Sequence, residues 1–199
     1  MKELKLKSGR ALVVVAHPDD ETIWMGGTIL KNPQIKWTIF ALCRASDSDR
    51  APKFRKVCKY YGARAIITDL EDDGIMDAGE SIPKVKRIIK SKIGPKYFDY
   101  IFTHRYNGEY GHPRHIGVSY AVKKLISEKN ILAGEVFAFG YFVPSGRKLP
   151  ITDRRADFIF RLGKKTFNQK INLIEKVYGF IQDSFEYRSS GSIETFYTL

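Results

Sequence analysis

Short apolar runs alternate with longer amphipathic stretches along most of the 199 residues, and this alternation constrains the fold more than any other feature. Candidate strands lie at 11–16, 37–42, 64–68, 100–103 and 135–140. Each is short, apolar and mostly β-branched or aromatic, as expected of strands covered on both faces. The stretches between them predict helices near 22–31, 50–61, 81–93 and 113–129, with a fifth near 165–184. Alternating β and α elements imply an α/β domain with a parallel sheet sandwiched by helices. The length fits a single domain over residues 1–199. Segment 141–165, with Pro144, Gly146, Pro150 and Gly163, reads as loop-like, either a lid or a surface connection.

In open parallel sheets the ligand site lies beyond the carboxyl ends of the strands, where the strand order reverses. All four histidines fall just after predicted strands, in two clusters. One is Ala16-His17-Pro18-Asp19-Asp20-Glu21; the other runs from His104 through Gly108-Glu109-Tyr110-Gly111 to His112-Pro113-Arg114-His115. If strands 11–16 and 100–103 are neighbours, both clusters meet in one crevice. His17/Asp20 and His112/His115 are each three residues apart with proline second. Proline fixes its own φ and keeps the preceding residue out of the helical region, so each pair straddles a loop and a helix start. Imidazole nitrogen and carboxylate oxygen suit zinc, and three protein ligands leave a fourth position for water. Iron or cobalt also suits such a donor set. The plainer reading of Asp19 or Asp20 alone is a helix N-cap.

The formal net charge of +12 is spread over Lys53–Lys56, 84–96, Lys123-Lys124 and 154–170. It fits solvated helix faces, or attraction to an anionic partner such as a phosphorylated conjugate. No nucleic-acid-reading motif accompanies it, so nucleic acid is not expected. Cys43 and Cys58 form no C-x-x-C and are expected buried and reduced, which suits the cytoplasm. The apolar run after the basic start is too short for a signal-peptide core or a membrane span. Asp69 to Gly74, with Glu80, approaches a calcium loop, but a strand rather than a helix precedes it, so a solvated acidic loop is expected. No G-x-G-x-x-G follows the first strand and there is no G-x-S-x-G, which argues against dinucleotide binding and serine hydrolysis.

The stretch from Ala16 to Glu21, followed by Gly26-Gly27-Thr28, resembles the first motif of the N-acetylglucosaminyl deacetylase (PIG-L or LmbE-like) family, and Gly108 to His115 resembles its second. Arg50 to Gly62 is similar to the family's helix after the second strand, so the likeness spans about residues 11 to 120. The resemblance implies a Rossmann-like fold and one zinc held by His17, Asp20 and His115. It further implies Asp19 as general base and a charged His112 assisting the transition state. Arg50 would contact substrate hydroxyls. His104 is a substrate contact or lies behind the metal ligands. Glu21 and Glu109 fall within the motifs without an assigned role. Arg114 departs from the acidic or amide residue usual there; it should point away from the metal, free to meet an anionic ligand. Beyond residue 120 the likeness is weak, so 141–199 is the variable part.

These readings converge on zinc-dependent hydrolysis of the acetamide of an N-acetylated amino sugar, free or as a conjugate, with the basic surface favouring an anionic one. The alternatives are a zinc peptidase or other amidase using the same residues, and a noncatalytic sugar-binding protein of the same fold. The sequence leaves self-association open.

Overall fold

The computed structural model describes residues 1–199. Ten strands form: β1 (Lys2–Glu3), β2 (Gly9–Val15), β3 (Ile35–Ala41), β4 (Arg64–Ile67), β5 (Tyr97–Thr103), β6 (Leu132–Phe139), β7 (Tyr141–Phe142), β8 (Ile151–Thr152), β9 (Phe158–Arg161) and β10 (Ile193–Thr198). The helices are α1 (Asp20–Lys31), α2 (Arg50–Tyr60), α3 (Ala78–Ile93), the short turn α4 (Gly108–Gly111), α5 (Pro113–Ser127), α6 (Lys164–Asn172) and α7 (Phe185–Ser189). All five predicted strands are present, and they pair in parallel in the order β6-β5-β2-β3-β4. The chain runs outward from β2 to β4, then returns to lay β5 on the other side of β2. The strand order therefore reverses between β2 and β5, and the two histidine clusters follow these two strands.

Alternation along β2 divides the core. Ala11, Val13 and Val15 face a cluster shared with α1, α2 and the C-terminal helices. Leu12, Val14 and Ala16 face the cluster under α3 and α5. Both sets are fully buried, as period-two side chains of a doubly covered strand must be. Cys43 and Cys58 are buried and unbridged. No helix is long and apolar enough to cross a membrane.

The C-terminal third differs from the sequence reading. Segment 141–165 is loop only in part: its irregular stretches are interrupted by β7, β8 and β9. β10 runs antiparallel between β6 and β9, and β1 adds to β9 at the edge, so the sheet has eight strands and is mixed at one side. The helix expected over 165–184 is α6 continued by one stretch of π-helix, Leu173–Tyr178. It stops at Gly179, whose φ of 86° is the left-handed conformation that ends helices and favours glycine.

Helix α1 is kinked at Met25 (φ −149°), and the chain's C-terminus holds the kink. The Glu194 carboxylate, on β10, accepts the Gly27 and Thr28 backbone N–H groups at 2.8 and 2.7 Å and the Thr28 hydroxyl at 2.7 Å. Lys170 of α6 donates to the same carboxylate at 2.8 Å, and both side chains are fully buried. A Cβ on Gly27 would come 2.2 Å from a Leu162 methyl carbon, so glycine lets that side chain pack directly on α1. Glu194→Ala is expected to lower unfolding stability by about 3–5 kcal/mol, the cost of stranding a buried charge. Urea denaturation measures it; a loss below 1 kcal/mol would mean that Lys170 finds water.

Candidate functional site

The turn after β2 is rigid. His17 N–H donates to Asp20 Oδ2 at 2.8 Å, and Trp24 Nε1–H donates to Asp20 Oδ1 at 2.9 Å, so the first residue of α1 is clamped on both oxygens. Asp19 precedes it with φ 117°, a conformation that costs a non-glycine residue about 1–3 kcal/mol. Its backbone N–H donates to the buried Glu21 carboxylate at 3.1 Å, and Tyr178 donates to that carboxylate at 2.8 Å. Asp19 makes no side-chain cap, so the N-cap reading fails for it. Its Oδ2 instead accepts from Arg50 Nη1 at 2.9 Å.

The turn after β5 brings up the second cluster. His112 caps α5 through Nδ1, which accepts the Arg114 N–H at 3.2 Å, and His115 lies in the first turn of that helix. His17 Nδ1, Asp20 Oδ2 and His115 Nε2 form a triangle. The His17–Asp20 side is 3.3 Å, the Asp20–His115 side 3.4 Å and the His17–His115 side 3.2 Å. Ligands about 2.0–2.1 Å from a tetrahedral zinc lie roughly 3.3 Å apart, so the three atoms match three corners of such a site.

The second nitrogen of each ring fits the same purpose. His17 Nε2 meets Asp72 Oδ1 at 3.0 Å, and His115 Nδ1 meets Glu109 Oε2 at 2.7 Å. A carboxylate on the far nitrogen draws the proton there and leaves the lone pair of the near nitrogen pointing into the triangle. Burial disfavours charge on Asp20, yet the His115 and His104 side chains beside it hold its carboxyl well below the usual range. Burial and the Asp20 charge push Asp19 well above that range, against Arg50. Adjacent carboxyls with opposed environments are suited to different tasks. The residues present therefore fit a single zinc-type ion.

His104 does not line the cleft. It is fully buried behind the triangle, stacked on the His115 ring at 3.8 Å. Its Nδ1 meets Glu109 Oε2 at 2.7 Å and its Nε2 accepts the Ala16 N–H at 3.0 Å, so no atom is left for substrate. The expectation of a substrate contact is corrected to a supporting position behind Asp20 and His115. His112 does line the cleft. Burial, then His115 and His17, lower its pKa to about 4, and an Nδ1 that accepts an N–H cannot carry a proton. That hydrogen bond favours the uncharged ring with its hydrogen on Nε2. Arg50 reaches the cleft already engaged, by Asp19 and by the Phe180 ring 4.4 Å from its guanidinium carbon.

Two carboxylates escaped the sequence reading. Glu109 sits at φ 57° in the α4 turn and serves His104 and His115 with one oxygen. Asp72 belongs to the acidic stretch read as solvated, yet it is largely buried between His17 and Arg44, whose Nη2 lies 2.8 Å away. Arg114 turns from the triangle as expected. The anion it meets is Glu71 of its own chain, at 3.2 Å, with the Met76 and Asp77 carbonyls beside it. It thereby ties the 71–77 loop, and Asp72 with it, to α5. The cleft above the triangle has a volume of about 240 Å³. The basic stretches do not reach it: Lys86, Arg87, Lys90 and Lys124 line a separate groove between α3 and α5.

Fold and donor set together define an α/β protein with a metal-type centre at the switch point of its sheet. The model of the PIG-L family, described as GlcNAc-PI de-N-acetylase, matches residues 12–126, more than half of the chain, and the chain belongs to that family. An uncharacterised protein of Acanthamoeba polyphaga mimivirus is 25% identical over 126 residues. That match covers 54% of each protein, so the chain spans about half the length of this curated relative. Among solved structures, N,N'-diacetylchitobiose deacetylase from Pyrococcus horikoshii is similar with a TM-score of 0.68 at 13% identity, over 96% of this chain and 83% of that one. A triple mutant of a deacetylase of the teicoplanin biosynthetic pathway follows with a TM-score of 0.66 at 14% identity, over 95% and 97% of the two chains. At such identities the likeness is one of fold. It extends through the C-terminal strands, beyond the family match.

Proposed function

We propose that this chain is a zinc-dependent hydrolase that removes the acetyl group from an N-acetylated amino sugar. The observation that carries the reading is the triangle of His17 Nδ1, Asp20 Oδ2 and His115 Nε2, with a carboxylate behind each ring. Family membership and the deacetylases of like fold support the reaction class.

Amide hydrolysis needs a nucleophile at neutral pH, a stabilised oxyanion and a protonated leaving amine. When bound, zinc supplies a water of lowered pKa and polarises the amide carbonyl. Asp19 supplies the proton acceptor: Arg50 holds its Oδ2, and its Oδ1 has no hydrogen-bond partner in the protein. The proton taken on Oδ1 passes to the departing nitrogen, so one residue serves as base and then acid. His112 donates Nε2–H to the carbonyl oxygen as negative charge builds there. Arg50 fixes the Asp19 rotamer through Nη1 and keeps its other N–H groups for substrate hydroxyls.

Metal analysis and an acetate-release screen test this together. About one zinc per chain is expected, with acetate and free amine released in equal amounts from an N-acetylated sugar. Release of free amino acids from peptides, without acetate from sugars, would move the chain to the peptidase alternative. A protein offered zinc that takes up none would remove the mechanism.

A further inference from the structure

Six charged side chains line the cleft: Asp19, Asp20, Arg44, Arg50, Asp72 and Glu186. Five are engaged. Arg50 pairs with Asp19 at 2.9 Å, Arg44 pairs with Asp72 at 2.8 Å, and Asp20 is clamped by His17 and Trp24. The Glu186 carboxylate alone has no hydrogen bond and no ion pair. Both guanidiniums are already paired with carboxylates of the chain. No cation is left over for a phosphate, despite the +12 of the whole chain.

Glu186 stands beside an aromatic wall. Phe185, its neighbour on α7, packs edge to face on Tyr110 with ring centroids 4.7 Å apart, and Tyr110 lies 5.2 Å from the His115 ring. Ser184 caps α7 by accepting the Tyr187 N–H at 3.2 Å, which fixes the turn that presents both side chains. An aromatic face takes the apolar face of a pyranose, and an adjacent free carboxylate accepts from hydroxyl or ammonium groups. It repels phosphate at the same place.

We infer that Phe185 and Glu186 form a sugar-recognition edge that selects neutral or amino-bearing sugars and rejects phosphate-bearing ones. The inference rests on the proposed amino-sugar reading and narrows its substrate class. It also separates the cleft from the basic α3–α5 groove, whose charge plays no part in substrate choice.

The test is calorimetric titration of the zinc-loaded protein with N-acetylglucosamine, glucosamine and N-acetylglucosamine 1-phosphate, for wild type and Glu186→Gln. Wild type is expected to bind the first two about tenfold more tightly than the phosphate, the scale of one hydrogen bond to a charged group. Glu186→Gln should erase most of that ratio, chiefly by relieving the repulsion of the phosphate. Equal or tighter binding of the phosphate by wild type would overturn the inference, as would an unchanged ratio in Glu186→Gln or no binding of any of the three sugars. Acetate release is read separately. Selective binding without turnover leaves the edge standing and sinks the hydrolase; equal turnover of neutral and phosphorylated substrates sinks the edge alone.

Discussion

His115→Ala is expected to purify with little or no zinc, where the wild type is expected to carry about one ion per chain. The substitution removes one corner of the donor triangle, and the two remaining atoms, His17 Nδ1 and Asp20 Oδ2, are 3.3 Å apart on a single turn. Two ligands hold a divalent ion far less tightly than three, and the nearby rings are already committed through one nitrogen each. His104 Nε2 is occupied by the Ala16 N–H, and His112 Nδ1 by the Arg114 N–H. The Glu109 carboxylate keeps His104 as a partner at 2.7 Å, so the loss need not unfold the turn. Elemental analysis after dialysis, beside a thermal melt, measures both. Zinc retained at the wild-type level would mean that the ion sits elsewhere, with His17, Cys43 and Asp72 the next grouping of donor atoms to examine.

How much of this centre the sequence discloses follows from what each residue needs in order to be recognised. His17, Asp20 and His115 announce themselves because ligand-type residues recur at a spacing of three after two apolar runs. Those runs are legible because β2 and β5 are covered on both faces and so are apolar throughout. Asp72 carries no such mark. It is 55 positions from His17 in a run of acids, and only the folding back of the 71–77 loop through Arg114 makes it the partner of one imidazole. Glu109 is in view within its motif, but its role depends on a positive-φ turn that aims one oxygen at two rings.

The C-terminal third hides for a different reason. β10 buries Glu194 and Thr195, and an inward-facing glutamate in a strand is unreadable until Lys170 and the kinked α1 are known to meet it. β7 and β8 have two residues each, too few for any periodicity. The π-helical stretch retains the apolar spacing of a helix, so its end at Gly179 was overrun by the pattern. Tyr178 on that stretch reaches Glu21, and through it the Asp19 backbone, so the part of the chain with the weakest family likeness supports the aspartate nearest the chemistry.

That aspartate bears the second large effect. Asp19→Ala is expected to keep zinc near one per chain and to lose about 10²–10⁴-fold in kcat, the usual contribution of a general base. Alanine at φ 117° adds backbone strain of its own, so Asp19→Asn is the sharper variant. Asparagine keeps the shape and tolerates positive φ better than alanine does. It can still accept from Arg50 through its amide oxygen, but its nitrogen cannot take a proton from water. The two variants should agree in kcat and differ in thermal stability. KM should change little in either, because Arg50 remains stacked on Phe180 and the substituted side chain handles the proton rather than the sugar. If Asp19→Asn turned over within a few-fold of wild type while zinc stayed bound, another group would have to be taking the proton. Asp72 would come first, since it is the remaining cleft carboxylate beside His17. Breaking its contact with that ring would then lower zinc affinity and turnover together, a pairing that an effect confined to the base would not produce.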